Sequence, residues 1–302
     1  MVLGYIKMMR PLNCLMTAIA VFIGGLIVSP VLGIFAAERI WLAMLAAFLV
    51  AGGGNAINDY VDVEADKINR PSRPIPSGRA SKTGALAFSV ILFIIGILLA
   101  GTINWVTFAI AIINSLLLVV YSTHLQNKML MGNIAISYLV GSSFLFGGAA
   151  LNNIVLPLML VLLAGLANMA REIAKDMEDI KGDRKSFLKR IANKAIAKVA
   201  PSIAERFGFD GKTARLKYST NTLSTLAVVS LLLAIIASPL PYAFSILGMS
   251  YLMVLIFADI TFFIAAVMVA KASAKRHYHR ASKAIKLGML LGMIAFIVGA
   301  LV

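Results

Sequence analysis

Apolar residues run almost unbroken through nine stretches of the chain, at roughly 12–32, 40–57, 83–103, 105–122, 130–150, 154–171, 220–238, 242–270 and 285–302. Each is near the ~20 residues that a helix needs to cross the hydrocarbon core of a bilayer. Polar residues collect in the intervals. The pattern predicts an all-α, polytopic membrane protein with about nine transmembrane helices, forming a single integral-membrane domain over 1–302. The first stretch does not resemble a cleavable signal, because it is long, follows Arg10-Pro11 and has no small-residue cleavage site before a soluble body.

Composition supports this picture: 60% of the residues are hydrophobic and the mean hydropathy is +0.91. The formal net charge of +15 points to topology once its distribution is considered. With nine spans, 27 of the 28 Lys and Arg residues fall on the side of the N-terminus, and only Arg39 falls opposite. Cytoplasmic loops collect basic residues, so the expected arrangement is a cytoplasmic N-terminus and active-site mouth, with the C-terminus outside. Contact with anionic membrane lipids follows from the same charge. No soluble basic domain with a nucleic-acid motif is present, and no obligate protein partner is inferred. Cys14 is the only cysteine, so no disulfide can form within the chain.

The acidic residues are sorted as well. Four lie in 59–66 and five in 172–183, in the loops 58–82 and 172–219 that follow the second and sixth spans. If the second helix continues into NDYVDVEADKINRPSRPIPSG (58–78), then Asn58, Asp62 and Asp66 line one face, with Asn55 one turn earlier. Asp59 falls at the edge of that face and Glu64 on the other side. In REIAKDMEDIKGDRK, Asp176, Asp179 and Asp183 again share a face, with Glu172 a turn before them. Carboxylates at these spacings repel one another unless cations bridge them. Hard oxygen ligands suit Mg2+ shared with phosphate oxygens. Either triplet alone reads first as a solvated helix face; two at matched depth favour a shared ligand.

The first triplet runs directly into Lys67, Arg70 and Arg73, which suit phosphate oxygens. Pro71, Pro74 and Pro76 end the helix, and Gly78 permits the turn into the third span. Acid beside base in this order points to a metal-bound diphosphate, clamped between two acidic faces.

These motifs, NDxxDxxxD followed by KINRPxRPxPSG and, downstream, RExxKDxxDxxGDR, resemble the UbiA superfamily of intramembrane prenyltransferases over all nine spans. The resemblance implies helices around a central cavity open sideways to lipid, with cytoplasmic cap loops. It implies Mg2+ held by Asn58, Asp62 and Asp66 and by Asp176, Asp179 and Asp183, with a prenyl diphosphate as donor. Asp62, Asp66, Asp179 and Asp183 are the catalytic candidates. Asn55, Lys67, Arg70, Arg73, Lys175, Tyr121 and Lys128 are the diphosphate-binding candidates, the last two from YSTHLQNK, where an interfacial anchor pair is the alternative. The uninterrupted first motif and MRPLNCLM (9–16) are most similar to the branch that makes archaeal ether lipids. That likeness implies geranylgeranyl diphosphate as donor and the free hydroxyl of geranylgeranylglyceryl phosphate, a lipid phosphate, as acceptor. A quinone-precursor or haem prenyltransferase is the alternative within the family.

One departure stands out. After GDR a long basic segment intervenes, and no Thr-Leu-Pro follows it; residues 186–200 carry the spacing of an amphipathic surface helix. It either caps the mouth of the site or packs on lipid headgroups. DGKTAR (210–215) lacks the downstream aspartates of a phosphotransferase, and GGGN (52–55) lacks the lysine of a nucleotide loop and reads as close helix packing. His277 and His279 read as part of a solvated basic loop. Asp259, inside the eighth apolar run, should face an interior partner or cavity. A transporter of phospholipid or anion is the alternative outside enzymes, but charge gathered at one face favours an enzyme with one mouth.

Overall fold

The computed structural model describes residues 2–29, 31–126, 128–194 and 220–301, and all regular structure among them is helical. The helices are α1 (Val2–Met9), α2 (Pro11–Leu26), α3 (Val31–Ala36), α4 (Glu38–Val61), α5 (Val63–Asn69), α6 (Lys82–Ile103), α7 (Trp105–Val120), α8 (Met129–Ala150), α9 (Pro157–Lys194), α10 (Thr220–Ala237), α11 (Leu240–Ala243), α12 (Met249–Ala270) and α13 (Lys275–Leu301). Eight described helices are long and apolar enough to span a membrane, and α1 with α2, bent by 45°, makes the count nine. Large apolar side chains such as Leu98, Leu116, Ile256 and Phe263 face outward, as a surface against lipid requires.

Local chemistry sets the breaks. Pro11 opens α2 at a position where its missing N–H costs nothing. The Ser81 hydroxyl accepts from Gly84 N and caps α6; the Asn104 side chain accepts from Thr107 N and caps α7. Beyond α4 the chain bends at Asp62, yet Asp66 N still donates to Asp62 O at 2.8 Å, so α5 prolongs the same ladder. It stops where Arg70 turns out of helical geometry ahead of the prolines, and Gly78 takes a positive φ of 73°.

Close packing holds the spans together. At Gly24 and Gly147, α2 and α8 cross with backbone against backbone, where any Cβ would collide with a carbonyl of the other helix. Gly52, Gly53 and Gly54 lie against Met9, Phe93 and Leu118, so the glycine run does serve helix packing. A buried cluster joins Ala170, Ile173, Ala174 and Met177 of α9 to Leu223, Ala227 and Leu231 of α10, Phe262 and Ala266 of α12, and Tyr278, Ala281 and Ile285 of α13. This fixes one face of α9 inward and leaves the face carrying Glu172, Lys175, Asp176 and Asp179 for the cavity.

Three boundaries differ from the sequence expectation. The last span starts at Lys275 rather than 285, so His277 and His279 belong to a helix and not to a basic loop. Buried Tyr278, Ala281, Ser282 and Ile285, spaced by three and four, give that polar stretch an anchoring face, and His279 Nδ1 lies 3.1 Å from Glu178 Oε2. The eighth span starts at Met249, because Pro239 and Pro241 set apart the short α11. Helix α9 continues through the second acidic motif to Lys194. The surface helix expected over 186–200 falls partly in α9; residues 195–219, and with them the lid expectation, lie outside the described residues.

Candidate active site

A cavity of about 1200 Å³ opens among α2, α4, α5, α7, α8 and α9. Asn55, Asn58, Asp62 and Asp66 line one wall, and Glu172, Lys175, Asp176 and Asp179 the facing one, so both acidic motifs border a single space. Arg70, Arg73 and Tyr121 also line it. Two other candidates do not border it. Lys67 Nζ pairs with Glu64 Oε1 at 2.9 Å on the outer side of α5, and Lys128 starts α8 outside the lining. Asp183 lies on α9, with its side chain outside the described residues. Glu64 is held below the usual carboxylate range, chiefly by the Lys67 hydrogen bond and charge.

Several site residues were not found from sequence. Arg10, at the α1–α2 bend with φ 54°, donates to Asn55 Oδ1 at 3.3 Å, Asn58 Oδ1 at 3.4 Å and Asp59 Oδ1 at 2.5 Å. Asp59 is 4% exposed and sits between Arg10 and Arg73, whose Nη1 is 3.0 Å away. Asp59, expected at the edge of the acidic face, lies beside the wall rather than in its lining. It faces away from the cavity wall but holds two of the arginines that line it. The same Arg73 Nη1 lies 2.6 Å from Asp66 Oδ2.

Gln126 follows a wide π turn, Tyr121–Leu125, closed by Gln126 N donating to Tyr121 O at 2.8 Å. Its amide accepts from Asn58 Nδ2 at 2.9 Å and donates to Asp62 Oδ1 at 2.8 Å, tying the π turn to the first motif. On the other wall Asn133 Nδ2 donates to Asp176 Oδ2 at 2.9 Å. Lys275, from the start of α13, reaches the cavity edge. MRPLN and YSTHLQNK held Arg10 and Gln126 in view, but nothing local singled either out: their partners are 45 to 68 residues away.

Among the described residues no three His, Cys or carboxylate side chains converge closely enough to enclose an ion by themselves. The donor set instead suits Mg2+ bound in part by substrate. Mg2+ keeps water and phosphate ligands and needs only one or two carboxylates from the protein, which the two motifs supply as hard oxygens.

Eight or nine membrane-spanning helices among the described residues, with both acidic motifs on one cavity, define the class: a polytopic membrane protein with a charged site between its helices. The chain belongs to the UbiA prenyltransferase family, whose model matches residues 17–294. Among similar proteins is a digeranylgeranylglyceryl phosphate synthase of Methanococcoides burtonii, 42% identical over 98% of this chain and 99% of its own length. A solved structure described as that of digeranylgeranylglyceryl phosphate synthase in membranes superposes with a TM-score of 0.75 at 34% identity, covering 99% of this chain and 98% of its own. A UbiA homologue from Archaeoglobus fulgidus bound to DMAPP and Mg2+ shares the fold at a TM-score of 0.55 and 18% identity, over 98% and 99% of the two chains.

Proposed function

We propose that this prenyltransferase moves a geranylgeranyl group from geranylgeranyl diphosphate to the free hydroxyl of geranylgeranylglyceryl phosphate, giving digeranylgeranylglyceryl phosphate and pyrophosphate. The observation that carries the chemistry is the facing of Asn58, Asp62 and Asp66 by Asp176 and Asp179 across one cavity also lined by Arg70, Arg73 and Lys175. What supports the acceptor is full-length similarity at 42% identity to a relative named for that product.

Asn58, Asp62, Asp66, Asp176, Asp179 and Asp183 would hold Mg2+, which when bound neutralises the charge gathering on the diphosphate. Arg70, Arg73, Lys175 and Tyr121 bind the same oxygens, and Arg10, Asp59 and Gln126 keep these groups in position. Fixed cations where negative charge develops are worth far more in a dry site than in water. Val50, Ala111, Leu118, Ile136 and Leu139 line the inner part of the cavity and suit the prenyl chain, excluding water from the allylic cation. The bond from C1 to the diphosphate breaks with its electron pair leaving on the diphosphate. The acceptor oxygen then bonds to C1 and loses its proton late. The mouth faces the cytoplasm, on the side rich in Lys and Arg.

The test is product analysis by mass spectrometry, with purified protein given both substrates and Mg2+, beside chelator and Asp62→Ala controls. Diether phosphate formed only with metal and intact Asp62 is the expected result. Donor and Mg2+ binding without that product would overturn the acceptor, and aromatic acceptors would be tried next.

A further inference from the structure

A second cavity, about 320 Å³, adjoins the first and sits among α2, α8, α9, α10, α12 and α13. Asn13, Thr17, Val140 and Ser143 line both, so they share a wall. The lining is mostly apolar, yet it includes Arg171, Lys286 and Asp259, three ionisable residues inside membrane-spanning helices. Such residues are costly in a bilayer and mark substrate paths. Two of their atoms, Arg171 Nε and Asp259 Oδ1, are buried without a hydrogen-bond partner among the described residues. Burial demands partners for both.

The other atoms of these side chains are engaged in ways that hold them in place. Ser238 Oγ donates to Asp259 Oδ2 at 2.8 Å, and Tyr251 OH donates to Ser238 O at 2.7 Å, so α10 and α12 fix the carboxylate from one side. Ser238 is thus the interior partner expected of Asp259, with one carboxylate oxygen left over. Arg171 Nη1 donates to Glu172 Oε1 at 2.8 Å. Glu172 lines the first cavity and Arg171 the second, so consecutive residues on α9 serve the two spaces.

We propose that this second cavity seats the acceptor lipid: Arg171 and Lys286 bind its phosphate, and Asp259 accepts the hydrogen bond of its one free hydroxyl. The proposal rests on the function given above. Its inventory matches that substrate group for group, since two cations suit a phosphate ester, one carboxylate suits a single hydroxyl, and apolar walls suit the alkyl stem. The hydroxyl then meets the donor's C1 where the two spaces adjoin, beside Asn13, Thr17, Val140 and Ser143. Once the C1–diphosphate bond has broken with its electrons leaving on the diphosphate, the hydroxyl oxygen bonds to C1 and its proton then passes to Asp259.

Steady-state kinetics of the full-length protein in nanodiscs tests this, with donor and acceptor varied separately. Lys286→Ala and Arg171→Ala should each raise the acceptor KM about tenfold or more, the size of a lost charge-assisted hydrogen bond, with the donor KM unchanged. Lys286→Arg should recover part of the loss. With geranylgeranylglycerol, which lacks the phosphate and so loses both cation contacts, wild type should fall below the level of Lys286→Ala on the full acceptor, and wild type and Lys286→Ala should then be alike; a lysine that only contacts membrane phosphates would add its loss to that of the missing phosphate. Asp259→Asn should cut kcat about a hundredfold with little change in acceptor KM. Unchanged acceptor KM in both cation variants, additive losses with geranylgeranylglycerol, or wild-type kcat in Asp259→Asn would overturn the seat. Wild-type protein forming no ether from this acceptor, while still binding donor and Mg2+, would instead sink the proposed function.

Discussion

Arg73 Nη1 lies 2.6 Å from Asp66 Oδ2, across the break at Arg70-Pro71 that ends α5, and both side chains are largely buried. The proline-rich loop thus folds back over α5 and places its arginine against the first acidic motif, with Asp59 held by the same nitrogen. Removing one partner of a buried ion pair leaves an uncompensated charge and costs about 3–5 kcal/mol. Arg73→Ala should therefore lower the melting temperature in detergent markedly, as well as abolish transfer. A melting temperature equal to wild type would mean that Asp59 and Asp66 are hydrated in solution.

Asp62→Ala and Asp179→Ala come from opposite walls and should fail alike. Each is expected to reduce prenyl transfer at least ~100-fold, as does loss of an electrostatic stabiliser of a transition state. Chelation of wild type should match the loss, and excess Mg2+ should restore the chelated wild type but neither variant. Transfer measured against Mg2+ concentration checks this.

Gln126→Ala removes both the bond to Asn58 and the bond to Asp62 without touching the charges. A group that orients metal ligands is typically worth 10–100-fold in metal affinity. The Mg2+ concentration for half-maximal activity should rise by about that factor while the folded protein keeps its melting temperature. A variant indistinguishable from wild type in Mg2+ titration would show that the first motif orients itself.

Lys67 and Arg70 are three residues apart, yet only Arg70 borders the cavity. Lys67 is spent on Glu64 at the exposed side of α5. Lys67→Ala should leave the donor KM within about twofold, since exposed pairs are worth little. Arg70→Ala should raise it about tenfold, the size of a lost charged hydrogen bond. Equal effects from the two substitutions would place Lys67 at the diphosphate after all.

Gly147→Val tests the crossing of α2 and α8. A side chain there meets the Val21 carbonyl across the interface, and no rotamer relieves a clash with backbone. The variant should fail to accumulate as monodisperse folded protein, as judged by size-exclusion chromatography. The same substitution at Gly292, which lines the second cavity and where an added Cβ meets nothing nearby, should still give monodisperse folded protein.

The chain's own pattern was enough to establish nine apolar spans, the pairing of two acidic faces and the basic segment beside the first. Span length and helical periodicity are local quantities, so they can be read from neighbouring residues. The boundaries that moved did so for tertiary reasons: α13 extends back over its basic residues because Tyr278, Ala281 and Ile285 find a core among α9, α10 and α12. Only folding could set Gln126 against Asp62, 64 residues away, or direct Arg171 and Glu172 into different cavities. Periodicity says which residues share a face of one helix. What that face meets is decided by how the helices pack, and in this protein close glycine crossings and partly buried arginines make that choice.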